Sequence, residues 1–113
     1  LSDALVGTGF SYRAAERGAH ARRVAQMITE VRDIRRLGAA AIDLCFVACG
    51  RYDAYFEEYL QSWDLIAGQI IATEAGAVVT DFAGNTVTPR QVLAAQPGVQ
   101  VALIQLIAES TEK

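Results

Sequence analysis

Two carboxylates stand where an α/β protein would build a site. Glu57 closes a segment in which Tyr52, Ala54 and Phe56 alternate with Asp53, Tyr55 and Glu57. That period of two predicts a strand with one polar face. Asp64 falls in the first turn of the helical segment that follows, two residues beyond a Ser62 cap. Ligands of α/β sheets bind outside the carboxyl ends of the strands, so both acids belong at the rim where a site would form. Each also has an ordinary structural explanation. An acid in a first turn gains about 0.3–1 kcal/mol from the helix dipole, and a glutamate is at home on an exposed strand end. Spacing narrows the location and leaves the reaction open.

Other polar residues say less. Cys45 and Cys49 are at i and i+4, with no second pair or histidine cluster to complete a metal cage. On a helix they share a face and are expected to pack as small hydrophobes. Arg13, Arg17, Arg22 and Arg23 read as a solvated helix face. Asp43 is the sole charge in an apolar stretch and must find a partner there; a structural role is expected for it.

The elements that position these residues follow from pattern. Ala4 to Gly9 reads as a short buried strand running into glycine-rich turns. A helix is predicted from about Arg13 to Val31, with Val24, Met27, Ile28 and Val31 in one stripe. Gly38 to Cys49 is apolar on every side apart from Asp43, which predicts a buried helix stopped at Gly50. A helix from Trp63 to Ala75 should turn Leu65, Ile66, Ile70 and Ile71 inward and end at Gly76. Strands are predicted over Ala77 to Asp81 and Val92 to Ala95, separated by a turn at Phe82 to Asn85. Pro97 opens a last helix through Val101, Leu103, Ile104 and Ile107, with fraying from Ser110 to Lys113. Strands alternating with helices give an α/β fold, a layered sheet with helices.

The 113 residues are one domain at most, and 52% hydrophobic content with 20% charge excludes a disordered chain. No apolar run approaches the roughly 18 residues of a membrane span, and no signal-peptide pattern is present, so no membrane partner is expected. The net charge of −3 offers nucleic acid no general attraction. Two cysteines without a framework fit a reducing, cytoplasmic compartment. The first residue is Leu1, as in a chain that begins part-way through a longer one.

Segments around the two acids carry a resemblance. Trp63-Asp64-Leu65-Ile66-Ala67-Gly68, followed by Glu74-Ala75-Gly76, resembles the second signature of the inositol monophosphatase family. Upstream, Arg35 to Leu44 is similar to the family's Arg-x-x-Gly-Ser/Thr-Ala-Ala segment. Gly50 to Glu57 resembles its Gly-x-x-Asp-Ala-Tyr/Phe-Phe-Glu strand, and Val92 to Val99 its closing strand and helix. The similarity runs through nearly the whole chain in the right order.

The resemblance implies the C-terminal half of the inositol monophosphatase-like fold over residues 1–113, with the N-terminal half absent. It implies a magnesium-dependent phosphomonoesterase that hydrolyses inositol 1-phosphate through a metal-activated water once both halves are present. Asp64 takes the place of a Mg2+ ligand that also approaches a substrate hydroxyl. Glu57 takes the place of a glutamate that hydrogen-bonds sugar or inositol hydroxyls. Gly38, Ala39 and Ala40 correspond to the loop that lines the substrate ring. Ala39 stands where Ser or Thr is usual, so only backbone contacts survive there. Arg35 is expected to pair with Glu57 or a nearby acid and orient it. The implied partners are a small phosphorylated polyol, the missing N-terminal half and a second copy in a homodimer; lithium sensitivity is implied as well.

The family's first signature, Asp-Pro-x-Asp-Gly-Thr, is not in this chain, whose prolines are Pro89 and Pro97. Magnesium prefers six oxygens in near-octahedral array, which Asp64 cannot supply alone. These residues by themselves are therefore expected to show no turnover, and apolar surface is expected where the absent half would pack. The alternatives are a non-catalytic assembly or regulatory module of the same fold, or a phosphatase for fructose bisphosphate, a nucleotide phosphate or histidinol phosphate.

Overall fold

A computed structural model describes residues 1–111, with the side chain of residue 111 left aside. Strands β1 (Leu5–Thr8), β2 (Asp33–Arg35), β3 (Ala54–Glu58), β4 (Val78–Thr80) and β5 (Gln91–Ala95) form one sheet in the order β2-β1-β3-β5-β4. β1 runs parallel to β2 and to β3, whereas β5 is antiparallel to both β3 and β4. Helices α1 (Ala14–Met27), α2 (Ala40–Ala48), α3 (Ser62–Glu74) and α4 (Pro97–Thr111) alternate with the strands. The layered α/β class expected from the alternation is the class observed.

Both faces of the sheet are covered, because its strands are apolar on both sides. On one face Val6, Ala54, Phe56 and Leu93 pack with Met27 near the end of α1 and Leu103 and Ile107 of α4. On the other, Tyr55, Val92 and Ala94 pack with Leu44 and Val47 of α2 and Leu65 and Ala72 of α3. Burying one such side chain contributes roughly 1.5–3 kcal/mol. The one-sided polar strand expected over Tyr52 to Glu57 is thus wrong in its interior. Ala54, Tyr55 and Phe56 are all sealed, since β3 is central in the sheet.

Helix boundaries and faces also shift. α1 ends at Met27, and the chain then turns into β2, a strand too short and too charged to show a period. Ile28 is exposed while His20 and Arg23 are buried, so Arg23 does not belong to a solvated face. α2 lies against α3 closely enough that a Cβ on Gly68 would sit 2.6 Å from a Leu44 methyl. Leu65, Gly68 and Ala72 therefore make the inner face of α3, and Ile66, Ile70 and Ile71 point outward. α2 is not wholly buried: Ile42 is exposed, and with Trp63, Ile66 and Ile70 it leaves apolar side chains on the outer surface of this helix pair. Cys49 is exposed too and Cys45 only half-buried, so packing accounts for one of them in part.

α4 turns Leu103, Leu106 and Ile107 inward and leaves Val101 out. It continues through Ser110, whose hydroxyl donates to the Ile107 carbonyl, so no fraying starts there; residues 112–113 lie outside the described part. No helix among the described residues is long and apolar enough to cross a membrane.

Candidate active site

The carboxyl ends of the three parallel strands open on one cavity of about 610 Å³. Gly9 to Arg13 follow β1, Arg36 to Ala40 follow β2, and Glu57 stands near the end of β3 with Tyr59 to Asp64 after it. β1 leads to a helix on one face and β3 to a helix on the other, and the crevice where such connections part is where α/β sheets take ligands. Gly38, Ala39, Ala40, Glu57 and Asp64, named from sequence, all line this cavity. The sheet brings together residues that lie far apart along the chain.

Glu57 is the most constrained of them. Tyr55, two residues earlier on the same face of β3, donates its hydroxyl to Glu57 Oε1 at 2.6 Å. Burial pushes the Tyr55 hydroxyl far above its usual range, so it stays a donor at all working pH values. The Glu57 carboxylate lies directly against the Cα of Gly9, where any Cβ would collide with it. Burial raises the Glu57 pKa, while the Tyr55 hydrogen bond and the charge of Arg36 pull it down.

Behind the cavity, Asp43 is 1% exposed and neither carboxylate oxygen has a hydrogen-bond partner among the described residues. The partner expected from sequence is not there. Desolvation, then the field of Glu57, raises its pKa to about 7 against the opposing pull of Arg36. A carboxyl so placed is half-neutral near pH 7, which is how an unpaired buried acid limits its cost.

Two helix N termini face the cavity through Ala39 and Gln61. α2 starts without any side-chain cap because Ala39 has no acceptor to offer, and Gly38 reaches it at φ +82, a left-handed turn suited to glycine. Its first N–H groups and its positive dipole end are therefore available to an anion. α3 is capped: Asp64 Oδ2 accepts the Gln61 N–H at 3.0 Å. The cap falls on Gln61, one residue before the predicted Ser62, and one Asp64 oxygen carries the structural duty considered above.

Buried bonds fix the strand ends behind these groups. Thr8 Oγ1 donates its single proton to the Phe56 carbonyl at 2.7 Å. His20 Nε2, 2.8 Å from the same oxygen, must then be the donor to it. Its Nδ1 is left to accept from Arg23 Nη1, which also pairs with Glu58 at 2.5 Å. Burial and the neighbouring Arg23 depress the His20 pKa to about 4, consistent with a neutral ring. Glu57 is thus held between a Phe56 carbonyl and a Glu58 carboxylate that are both tied to β1 or α1.

Arg35 does not orient Glu57. Its guanidinium pairs with Asp33 at 2.7 Å on the exposed edge strand. The arginine whose charge reaches Glu57 and Asp43 is its neighbour Arg36, on the cavity wall. Arg35 is the last residue of β2 and Arg36 the first beyond it, and sequence reading could not see that strand. Sequence reading also missed Tyr55, Gly9, Arg90 and Tyr59; an acid flanked by aromatic residues was the one visible signal for Tyr55.

Among the described residues no three His, Cys, Asp or Glu side chains gather to hold a metal. Asp64 offers the cavity what its capping bond leaves free, and six-coordinate magnesium needs more oxygens than that. The described residues do not make a complete magnesium site.

The sequence matches the model of the inositol monophosphatase family over residues 1–112. The chain belongs to that family. Inositol-1-monophosphatase of Mycobacterium leprae is 50% identical over 106 residues, covering 92% of this chain and 36% of the relative. Nus factor SuhB of Vibrio cholerae is 40% identical, covering 97% of this chain and 42% of the relative. Among solved structures, Mycobacterium tuberculosis SuhB superposes with a TM-score of 0.86 at 46% identity over 97% of this chain and 43% of that one. Inositol monophosphatase from Anabaena gives 0.91 at 32% identity over 96% and 45%. The chain therefore spans about two-fifths of the length of the inositol monophosphatase relatives it matches. Its family is one of phosphatases.

Proposed function

We propose that this chain is the polyol-binding portion of a cytoplasmic, magnesium-dependent phosphomonoesterase that hydrolyses inositol 1-phosphate to inositol and phosphate. The observation that carries the reading is the meeting of Glu57, Asp64 and the uncapped start of α2 around one cavity. Carboxylates accept hydrogen bonds from ring hydroxyls, and free backbone N–H groups suit the ester's anionic end. In the reaction a water oxygen bonds to phosphorus, the ester P–O bond breaks, and the polyol oxygen leaves with a proton. Glu57, fixed by Tyr55, orients the ring; Asp64 would offer one carboxylate to a magnesium ion, which would need further oxygen donors besides. Magnesium, when bound, supplies positive charge beside the phosphate. Lithium sensitivity and a homodimer belong to the same proposal.

The test is phosphate release from inositol 1-phosphate, with and without magnesium. It is run on a family-length protein containing these residues and on the 113 residues alone. Turnover is expected in the first and none in the second. A family-length protein that stays silent with magnesium sinks the reading.

A second reading, a non-catalytic assembly or regulatory module, draws support from relatives in Vibrio cholerae and Xylella fastidiosa that bear the name Nus factor SuhB. A module of that kind would keep its role after Glu57→Gln and Asp64→Asn, whereas a phosphatase would lose activity.

A further inference from the structure

Three arginines line the cavity, and their charges are committed differently. Arg13 lies 3.8 Å from Glu16 in an exposed pair. Arg36 acts on Glu57 and Asp43. Arg90 has no carboxylate within ion-pairing distance and no side-chain hydrogen bond among the described residues. Its one side-chain partner is the ring of Tyr59, 5.4 Å from the guanidinium carbon to the ring centre. Stacking of this kind positions a guanidinium without occupying its N–H donors.

Tyr59 is itself unusual. It is the one non-glycine residue among those described with a positive φ, 62°. A bulky residue in that state is disfavoured and persists only where its surroundings hold it. Here the β3–β5 ladder pairs Glu58 with Gln91, and the next rung is a Tyr59 N–H to Arg90 carbonyl bond of 3.0 Å. A further bond joins the Leu60 N–H to the Pro89 carbonyl at 2.8 Å. These two bonds pin the strained residue across from Arg90, and both side chains face the cavity that holds Glu57 and Asp64.

We infer that Arg90, presented by Tyr59, is a specificity-determining residue that reads a second anionic group on the polyol, apart from the ester held near Asp64. Arg90 favours a bisphosphorylated ring over a monophosphorylated one, because a second phosphate can accept a bidentate pair of N–H bonds that a hydroxyl cannot. Tyr59 is the positioning residue. This rests on the polyol-phosphate reading of the site.

The test is calorimetric titration of this chain with inositol 1-phosphate and with inositol 1,4-bisphosphate. The bisphosphate is expected to bind about tenfold or more tightly, the usual margin for a charge-assisted pair. R90Q should erase that margin. Y59F should keep the margin, and Y59G should reduce it without unfolding the chain. Equal affinity for the two ligands, no binding of either, or a margin that survives R90Q overturns the inference. An Arg90-dependent margin with no phosphate release by the family-length protein overturns the phosphatase reading and spares this one. Phosphate release with no such margin does the reverse.

Discussion

The Glu57 carboxylate occupies the space that a side chain at Gly9 would need. Gly9 follows β1 and Glu57 lies near the end of β3, paired strands, so in the cavity an acid lies against bare backbone. Gly9→Ala should push Glu57 off its Tyr55 bond. In a family-length protein with the proposed activity, the expected result is KM for inositol 1-phosphate raised about tenfold or more, with stability lower by roughly 1–3 kcal/mol. Steady-state kinetics with a thermal melt would check it; an unchanged KM refutes the role of Glu57.

Tyr55→Phe removes the hydrogen bond that holds the Glu57 pKa down against desolvation. The Glu57 pKa should rise further, and the acid limb of KM against pH should move to higher pH. Leaving a half-buried carboxylate oxygen without its donor costs about 1–3 kcal/mol. A pH profile that superposes on the wild type counts against this coupling.

Asp43 gives stability a sign on the alkaline side. Its folded pKa of about 7 lies well above the ordinary aspartate range, so the folded state holds the proton more tightly. Stability from this group is full below pH 4 and is lost as pH rises toward and through 7. Asp43→Asn should therefore narrow the difference in melting temperature between pH 5 and pH 8. A difference as large as in the wild type would show that the group is not the cause.

His20 works on the acid side. Its pKa is depressed to about 4 from 6.5, so its contribution is present above pH 6.5 and is lost as pH falls through 4. Thr8→Val removes the oxygen that accepts the Nε2 proton and is expected to cost about 1–3 kcal/mol by stranding that donor. Chemical denaturation at pH 7 measures it, and a loss below the error of the method would speak against the derived tautomer.

Tyr59→Gly relieves a left-handed backbone state worth roughly 1–2 kcal/mol in a non-glycine residue. The ring contact with Arg90 is lost in exchange, and glycine frees the unfolded chain. Stability within about 1 kcal/mol of the wild type is expected. A larger loss means the ring does more packing than its exposed position implies.

Much of the framework was legible in the residues alone. Local patterns marked four of the five strands, all four helices and the stops at Gly50 and Gly76, because backbone propensity and periodicity act over a few neighbours. The signature around Asp64 and the strand ending in Glu57 pointed to the family and to the end of the sheet where its cavity lies. Tertiary structure alone decided the rest. Burial of Ala54, Tyr55 and Phe56 on both faces, the inward turn of Leu65 and Ala72 over Ile66 and Ile70, and the choice of Arg36 over Arg35 all depend on which strands and helices become neighbours. So do the contact of Gly9 with Glu57 and the strained pairing of Tyr59 with Arg90, each made between segments distant in the chain. A sequence carries its periods locally, but two side chains meet only when the sheet order brings their strands together.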